Sequence, residues 1–351
     1  MASAKLKHGI VLAVLAIAVA CLASFACGPA GFAPQQELNS VRILATRADK
    51  PFAKPGDDVT VEMLAVDARK IKKQALKIYW LPFLCENPPA DLYYACFAAL
   101  AGGGDAGAEA GARDGGTTPT LPPNADITPF LKEGTKYSFK IAPDIIDRHP
   151  PVQGVPENYG LAIAFAIACA GRVRTVPIDF SDPTPQKFPI GCFDDDGNRL
   201  GAEDFVFAFT RVYVYANRTN ANPPISKVTF DGKDVDLNAG VVVDRCTGKE
   251  EDCAKLHPVD VAVPDDAWEL NPGAIDTDGT VLHEQVYAIY YYTLPKTEKE
   301  GKLLFDSRTG RIAASANYFV PQSVPGDGRL YVVVHDTRGG TSWADFPIYV
   351  K

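Results

Sequence analysis

The 351-residue chain predicts an all-β fold built of β-sandwiches, and three observations predict it. Its apolar runs are short, and most either alternate with polar residues or are apolar throughout. Glycine (29) and proline (28) punctuate nearly every gap, as expected of many short strands joined by turns. Outside the first 27 residues, windows rich in Ala, Leu, Glu and Lys are few, which leaves helices little to build on.

The strands are expected in this order. Runs at 41–45 and 59–66 come first, and Val59-Thr60-Val61-Glu62 shows the strict alternation of a half-buried strand. Runs at 76–81 and 137–141 follow. Residues 161–169 are apolar throughout, and 205–215 reads as the matching final strand, across a long join at 170–204 that carries Cys192. Shorter runs at 228–230, 241–244 and 259–263 lead into 286–294, which β-branched and aromatic residues fill. The last runs are 303–305, 312–319, 330–335 and 346–350, with a tight turn at Arg338-Gly339-Gly340 before the final one. The polar stretch 217–224, with Pro223-Pro224, reads as a linker. One domain is therefore expected at 38–221 and a second at 222–351. Within the first, residues 98–124 hold Gly, Ala, Asp, Thr and Pro with almost no apolar bulk. They cannot offset their ordering entropy by burial, and a disordered insertion is expected there.

Two pieces carry a resemblance. Phe52-Ala53-Lys54-Pro55-Gly56-Asp57-Asp58-Val59-Thr60-Val61 resembles the opening of a bacterial immunoglobulin-like domain, where a Pro-Gly-Asp turn leads into an alternating core strand. The 330–336 run, Gly339-Gly340 and 346–350 resemble the last hairpin of another. The resemblance implies two immunoglobulin-like β-sandwich domains in tandem after a signal peptide and short tether.

The N-terminus indicates the compartment. Lys5, Lys7 and His8 make a basic head, an apolar stretch runs from Ile10 to Ala26, and Gly28-Pro29-Ala30-Gly31 breaks any helix. That is the plan of a secretory signal over 1–26. Ser24-Phe25-Ala26-Cys27 resembles the processing site of bacterial lipoproteins, although Ser24 replaces the usual Leu and Phe25 departs from the pattern. The resemblance implies an acylated Cys27, and with it a flexible tether at 27–37 and attachment to the membrane through the lipid. Two or more acyl chains anchor a protein stably where one does not. Gly28 stands where many inner-membrane lipoproteins carry Asp, which by the same resemblance favours the outer membrane, on its periplasmic or surface face. Two rivals stay open: an ordinary peptidase cutting at Ser24-x-Ala26, and an uncleaved helix, for which 10–26 is barely the ~18–20 residues needed. Cysteine parity favours the lipid. With 1–26 removed and Cys27 acylated, Cys85, Cys96, Cys169, Cys192, Cys246 and Cys253 remain, an even set for an oxidising compartment. Local pairing is the simplest of the 15 connectivities: Cys85 with Cys96, Cys169 with Cys192, Cys246 with Cys253. The whole chain resembles lipoproteins of Gram-negative bacteria, a likeness that brings no activity with it.

The formal charge is −8, and the removed segment takes two lysines with it. An acidic chain without a Lys/Arg cluster is a poor match for nucleic acid. Calcium is the sharpest chemical candidate. Asp194, Asp196 and Asn198 crowd one Asp-Gly turn, and Asp276 and Asp278 another, offering the hard oxygen ligands that Ca²⁺ takes. Neither fits an EF-hand: Gly197 falls fourth rather than sixth, and Phe205 and Tyr287 occupy the places of the bidentate Glu. Solvated acidic turns account for the same residues, and no cofactor is expected. His149, His257, His283 and His335 have no metal spacing, and Asp336 reads as a turn former. No nucleophile elbow, phosphate loop or dinucleotide fingerprint is present in the sequence. Tyr79-Trp80, Tyr93-Tyr94, Tyr213, Tyr215 and Tyr290-Tyr291-Tyr292 offer a face for a glycan or protein partner, against the ordinary role of strand aromatics in cores. The expectation is a non-catalytic envelope protein that binds, adheres or supports. The alternative is a secreted hydrolase with an unrecognised active site.

Overall fold

The computed structural model describes residues 35–98, 122, 124–152, 157–176, 189–248, 253, 256–294 and 296–351. The expected signal segment, Cys27 with most of the expected tether, and most of the expected 98–124 insertion lie outside them. Gln36–Lys351 forms one compact unit. The described chain is nearly all β.

The first ten strands are β1 (Val41–Ala48), β2 (Phe52–Ala53), β3 (Asp58–Asp67), β4 (Lys77–Glu86), β5 (Lys132–Glu133), β6 (Lys136–Lys140), β7 (Gly160–Cys169), β8 (Arg172–Thr175), β9 (Ile190–Phe193) and β10 (Phe205–Val214). A three-stranded sheet, β1-β3-β6, packs on a five-stranded one, β2-β10-β7-β4-β5. The central strand β7 is buried along its whole length, which explains its unbroken apolar run. Its two faces differ in size. Ala162, Ala164 and Ala166 meet Val59, Val61, Met63 and Trp80, letting the two sheets approach closely. Leu161, Ile163, Phe165 and Ile167 point the other way and need separate cover. A third layer supplies it: the short helix Ala95–Ala98, Ile127 to Leu131, and the hairpin β8–β9. That hairpin occupies the 170–204 join, where the sequence predicted only a connection. The alternating Arg172-Val173-Arg174-Thr175 is half polar because its outer side is wet.

A register slip does further work in the three-stranded sheet. Ile43 pairs Ala65 but Ala45 pairs Leu64, so Leu44 is the extra residue of a bulge. One extra residue exchanges the two faces. On β1 this brings both Ile43 and Ala48 to the sandwich, while on β3 plain alternation sends Val59, Val61 and Met63 inward and Leu64 and Val66, beside Leu44, outward onto Leu38 and Tyr331.

The remaining strands are β11 (Lys227–Phe230), β12 (Lys233–Asp234), β13 (Val241–Val243), β14 (His257–Ala262), β15 (Leu270–Ile275), β16 (Val281–His283), β17 (Val286–Tyr292), β18 (Lys296–Thr297), β19 (Gly301–Asp306), β20 (Gly310–Arg311), β21 (Asn317–Val320), β22 (Gly326–Asp336) and β23 (Thr341–Val350). Sheets β12-β11-β14-β21-β18 and β13-β23-β22-β17-β19-β20 enclose a second core of Phe230, Val259, Phe319, Tyr290, Leu330 and Phe346, while β15–β16 stands as a separate hairpin. Within the expected strand 312–319, only Asn317 onward is extended into a ladder.

Two connections differ from a simple bead-and-linker arrangement. The backbone of Gln36 and Leu38 hydrogen-bonds Tyr292 on β17 before the chain enters β1. The polar 217–224 stretch is fastened rather than loose. Asn222 donates to the Ala48 carbonyl at 2.7 Å and accepts from the Thr341 N–H at 2.8 Å. Asn220 is buried.

Candidate functional site

Six cysteines form Cys85–Cys96, Cys169–Cys192 and Cys246–Cys253, the expected local pairing, with Cα separations of 5.8, 5.7 and 5.6 Å. The first two share a task. Cys85 lies on β4 and Cys169 on β7, and their partners lie in the helix and on β9, so both bridges staple the covering layer to the sheet beneath.

The acidic turns spend their carboxylates locally. Asp194 accepts the Asn198 N–H at 2.7 Å and its side-chain amide at 3.1 Å, and this amide holds the Asp194 carboxyl below its usual range. Asp196 and Asn198 are exposed. Asp276 accepts the Thr277 N–H and pairs with Arg308, while Asp278 accepts the Thr280 N–H at 3.0 Å. Among the described residues, no group of three or more His, Cys, Asp and Glu is arranged to hold a metal ion. The aromatics divide. Tyr79, Trp80, Tyr215, Tyr290 and Tyr292 are buried, and Tyr93 stacks on Phe209 with centroids 4.2 Å apart. Of the Tyr93-Tyr94 pair, Tyr94 is exposed.

Two polar clusters escaped the sequence reading, because their members lie far apart in the chain. The first surrounds Arg338, in the turn between β22 and β23. Its guanidinium donates to Glu284 at 2.6 Å, to Glu269, and to the Thr219 carbonyl at 3.0 Å, and it lies over the Phe52 ring. Asp336 accepts the N–H groups of Arg338 (2.7 Å) and Gly340 (2.8 Å) and the amide of Asn220 (3.2 Å). It is the expected turn former, and it is buried as well. Two carboxylates, Glu284 and Glu269, thus share one guanidinium, while Asp336 holds the same turn through the backbone. Burial pushes the Glu284 carboxyl up to about 7 against the pull of Arg338, and burial raises Asp336 too. A Cβ at Gly340 would overlap the Asp336 carboxylate and crowd the Ala221 carbonyl, so only glycine fits there. The cluster touches β2, the 217–224 stretch and the last hairpin at once, and so ties the two sheet pairs together.

The second cluster joins Asp91, His149 and Tyr159. His149 Nε2 lies 2.9 Å from Asp91 Oδ1 and its Nδ1 2.8 Å from the Pro150 carbonyl, and the Tyr159 hydroxyl donates to Asp91. Ala90 and Asp91 are both left-handed, at φ 52° and 57°, which side chains rarely adopt. Burial pushes the Tyr159 phenol up, so it serves as a donor to Asp91 rather than as a base. The trio orients its own loop and presents no activated nucleophile.

No protein-family profile matches the chain, and no curated protein matches it. Solved structures align over most of its length. The tandem Ig repeats of Dlar are 8% identical, with 90% of this chain and 99% of that one covered at a TM-score of 0.21. Dimeric latent PorU from Porphyromonas gingivalis is 10% identical over 89% of this chain and 24% of that one, at 0.20. Drosophila OTK extracellular domains 3–5 are 10% identical over 91% and 98%, at 0.17. At these TM-scores the likenesses carry no argument about function.

Proposed function

We propose that this is an exported protein held on a bacterial outer membrane by acyl chains on Cys27. Its sandwich domains, 38–221 and 222–351, serve there as a rigid, non-catalytic module for binding or support. The observation that carries the reading is the cysteine pairing. Three disulfides belong to an oxidising compartment. They use all six later cysteines and leave Cys21 and Cys27 outside the bridges, and Cys21 lies within the expected signal. Among the described residues no helix is long and apolar enough to cross a membrane. In this reading a lipid on Cys27 supplies the attachment. The Arg338 cluster supports the rigid part of the reading, since it fixes one sheet pair on the other.

The test is metabolic labelling in a Gram-negative host with a clickable palmitate analogue. The wild-type chain should carry label and fractionate with outer membranes, and Cys27→Ser should lose both. Unlabelled wild-type protein would remove the anchor from the reading. A cross-linking pull-down from envelopes addresses binding, and turnover on peptide or glycoside substrates by the purified chain would replace the non-catalytic reading.

A further inference from the structure

An open cleft of about 620 Å³ lies where β4 and β5 meet the covering layer. Its lining includes Lys77, Tyr79, Asp126, Leu131, Glu133 and Arg172. Tyr79 is only 1% exposed, and its hydroxyl finds no hydrogen-bond partner within the protein. A buried hydroxyl without a partner is unfavourable, and native proteins keep few of them. Tyr79 lines the cleft together with Glu133, Asp126 and Arg172, whose charges act on its hydroxyl. Burial pushes the phenol up to about 12, which keeps it protonated and able both to donate and to accept.

The rim carries both signs, with Lys77 and Arg172 set against Glu133, Asp126 and Asp195. Lys77 faces Glu133 at 3.4 Å, and Arg172 faces Asp126 at 3.3 Å and Asp195 at 3.5 Å. These pairs are largely exposed and loosely held, so little free energy binds each to its partner. A ligand that suits such a rim offers donors to the carboxylates and acceptors to the cations, as a hydroxyl does with one atom. Leu131 adds an apolar ledge.

We propose that this cleft binds a neutral carbohydrate, with one sugar hydroxyl completing the unpartnered Tyr79 hydroxyl and others bridging the Arg172–Asp126 and Lys77–Glu133 pairs. An ion would meet an opposing charge on either side of the rim, and a purely apolar ligand would leave both pairs and the phenol unsatisfied. The inference deepens the binding part of the proposed function and rests on it. It is independent of the anchor, which the palmitate labelling tests separately.

The experiment titrates the mature chain with a panel of neutral trisaccharides of glucose, mannose, galactose and N-acetylglucosamine, read by saturation-transfer and amide-shift NMR. At least one is expected to bind, with shifts concentrated at 77–79, 126–133 and 172. Tyr79→Phe should weaken that sugar about fivefold or more, the loss of roughly one well-made hydrogen bond. It should leave the melting temperature unchanged or raised, because it removes a group that lacks a partner. Arg172→Ala, at an exposed position, should weaken the same sugar without unfolding. The proposal is overturned if no trisaccharide binds at millimolar concentration, if Tyr79→Phe binds as tightly as wild type, or if that variant melts lower, which would show that the hydroxyl is already satisfied inside the fold.

Discussion

Arg338 is the residue on which most groups converge. Its guanidinium side chain is almost fully buried, as is Glu284, and removing one member of such a pair leaves the other charge uncompensated. Arg338→Ala is expected to destabilise by about 3–5 kcal/mol in denaturant melts above pH 7, where Glu284 is ionised, with Arg338→Lys recovering only part because a point charge cannot fork between Glu284 and Glu269. Glu284 makes a pH prediction. Its carboxyl titrates near 7 when folded against an ordinary 4.5, so between those values the folded protein holds a proton that the unfolded chain has released. The stability that follows is complete below about 4.5 and is lost as pH rises through about 7. Wild-type melting temperature should therefore fall across that window, and Glu284→Gln should flatten the fall. Sequence alone showed Asp336 as a turn residue, which it is. Glu284 and Asn220 were invisible beside it, because only the fold brings residues 54 and 116 positions away onto the Arg338 and Asp336 side chains of that turn.

Strands were the legible elements, since alternation and β-branching are local signals. The runs that became β3, β7, β10, β17, β22 and β23 stood out for that reason. The hairpin β8–β9 did not, because its strands are only four residues long and β8 carries two arginines among its four. Its role became visible only when the large face of β7 required a cover. Two predictions belong at this level. Replacing Cys169 and Cys192 together by Ala should cost about 2–4 kcal/mol, with hydrogen exchange rising most in 172–175 and 190–193. Gly171→Ala should be comparably damaging, because a Cβ there would run into the Phe193 carbonyl oxygen, whereas Gly201→Ala, which meets open space, should be neutral. Equal melting temperatures for the two glycine variants would contradict the tight join between β7 and β8.

Across the whole molecule the two sheet pairs have separate cores but shared seams. Leu38, Val66 and Tyr331 form one seam, and Arg338 with Asn222 forms the other. Calorimetry of the full chain should accordingly show one cooperative transition, and 222–351 made alone should melt well below it. Two resolved peaks at the temperatures of the separate halves would refute the coupling. The placement of Gln36 and Leu38 carries this further. They fill the side of β17 beyond the reach of β19, although the strand they introduce belongs to the other sheet pair. A gene rearrangement that excised the first sandwich, or grafted the second behind a foreign neighbour, would strip that filling away and bare a pairing-competent backbone. The leading residues of one half thus complete the edge of the other, and neither half carries its full complement of backbone partners when cut from its neighbour.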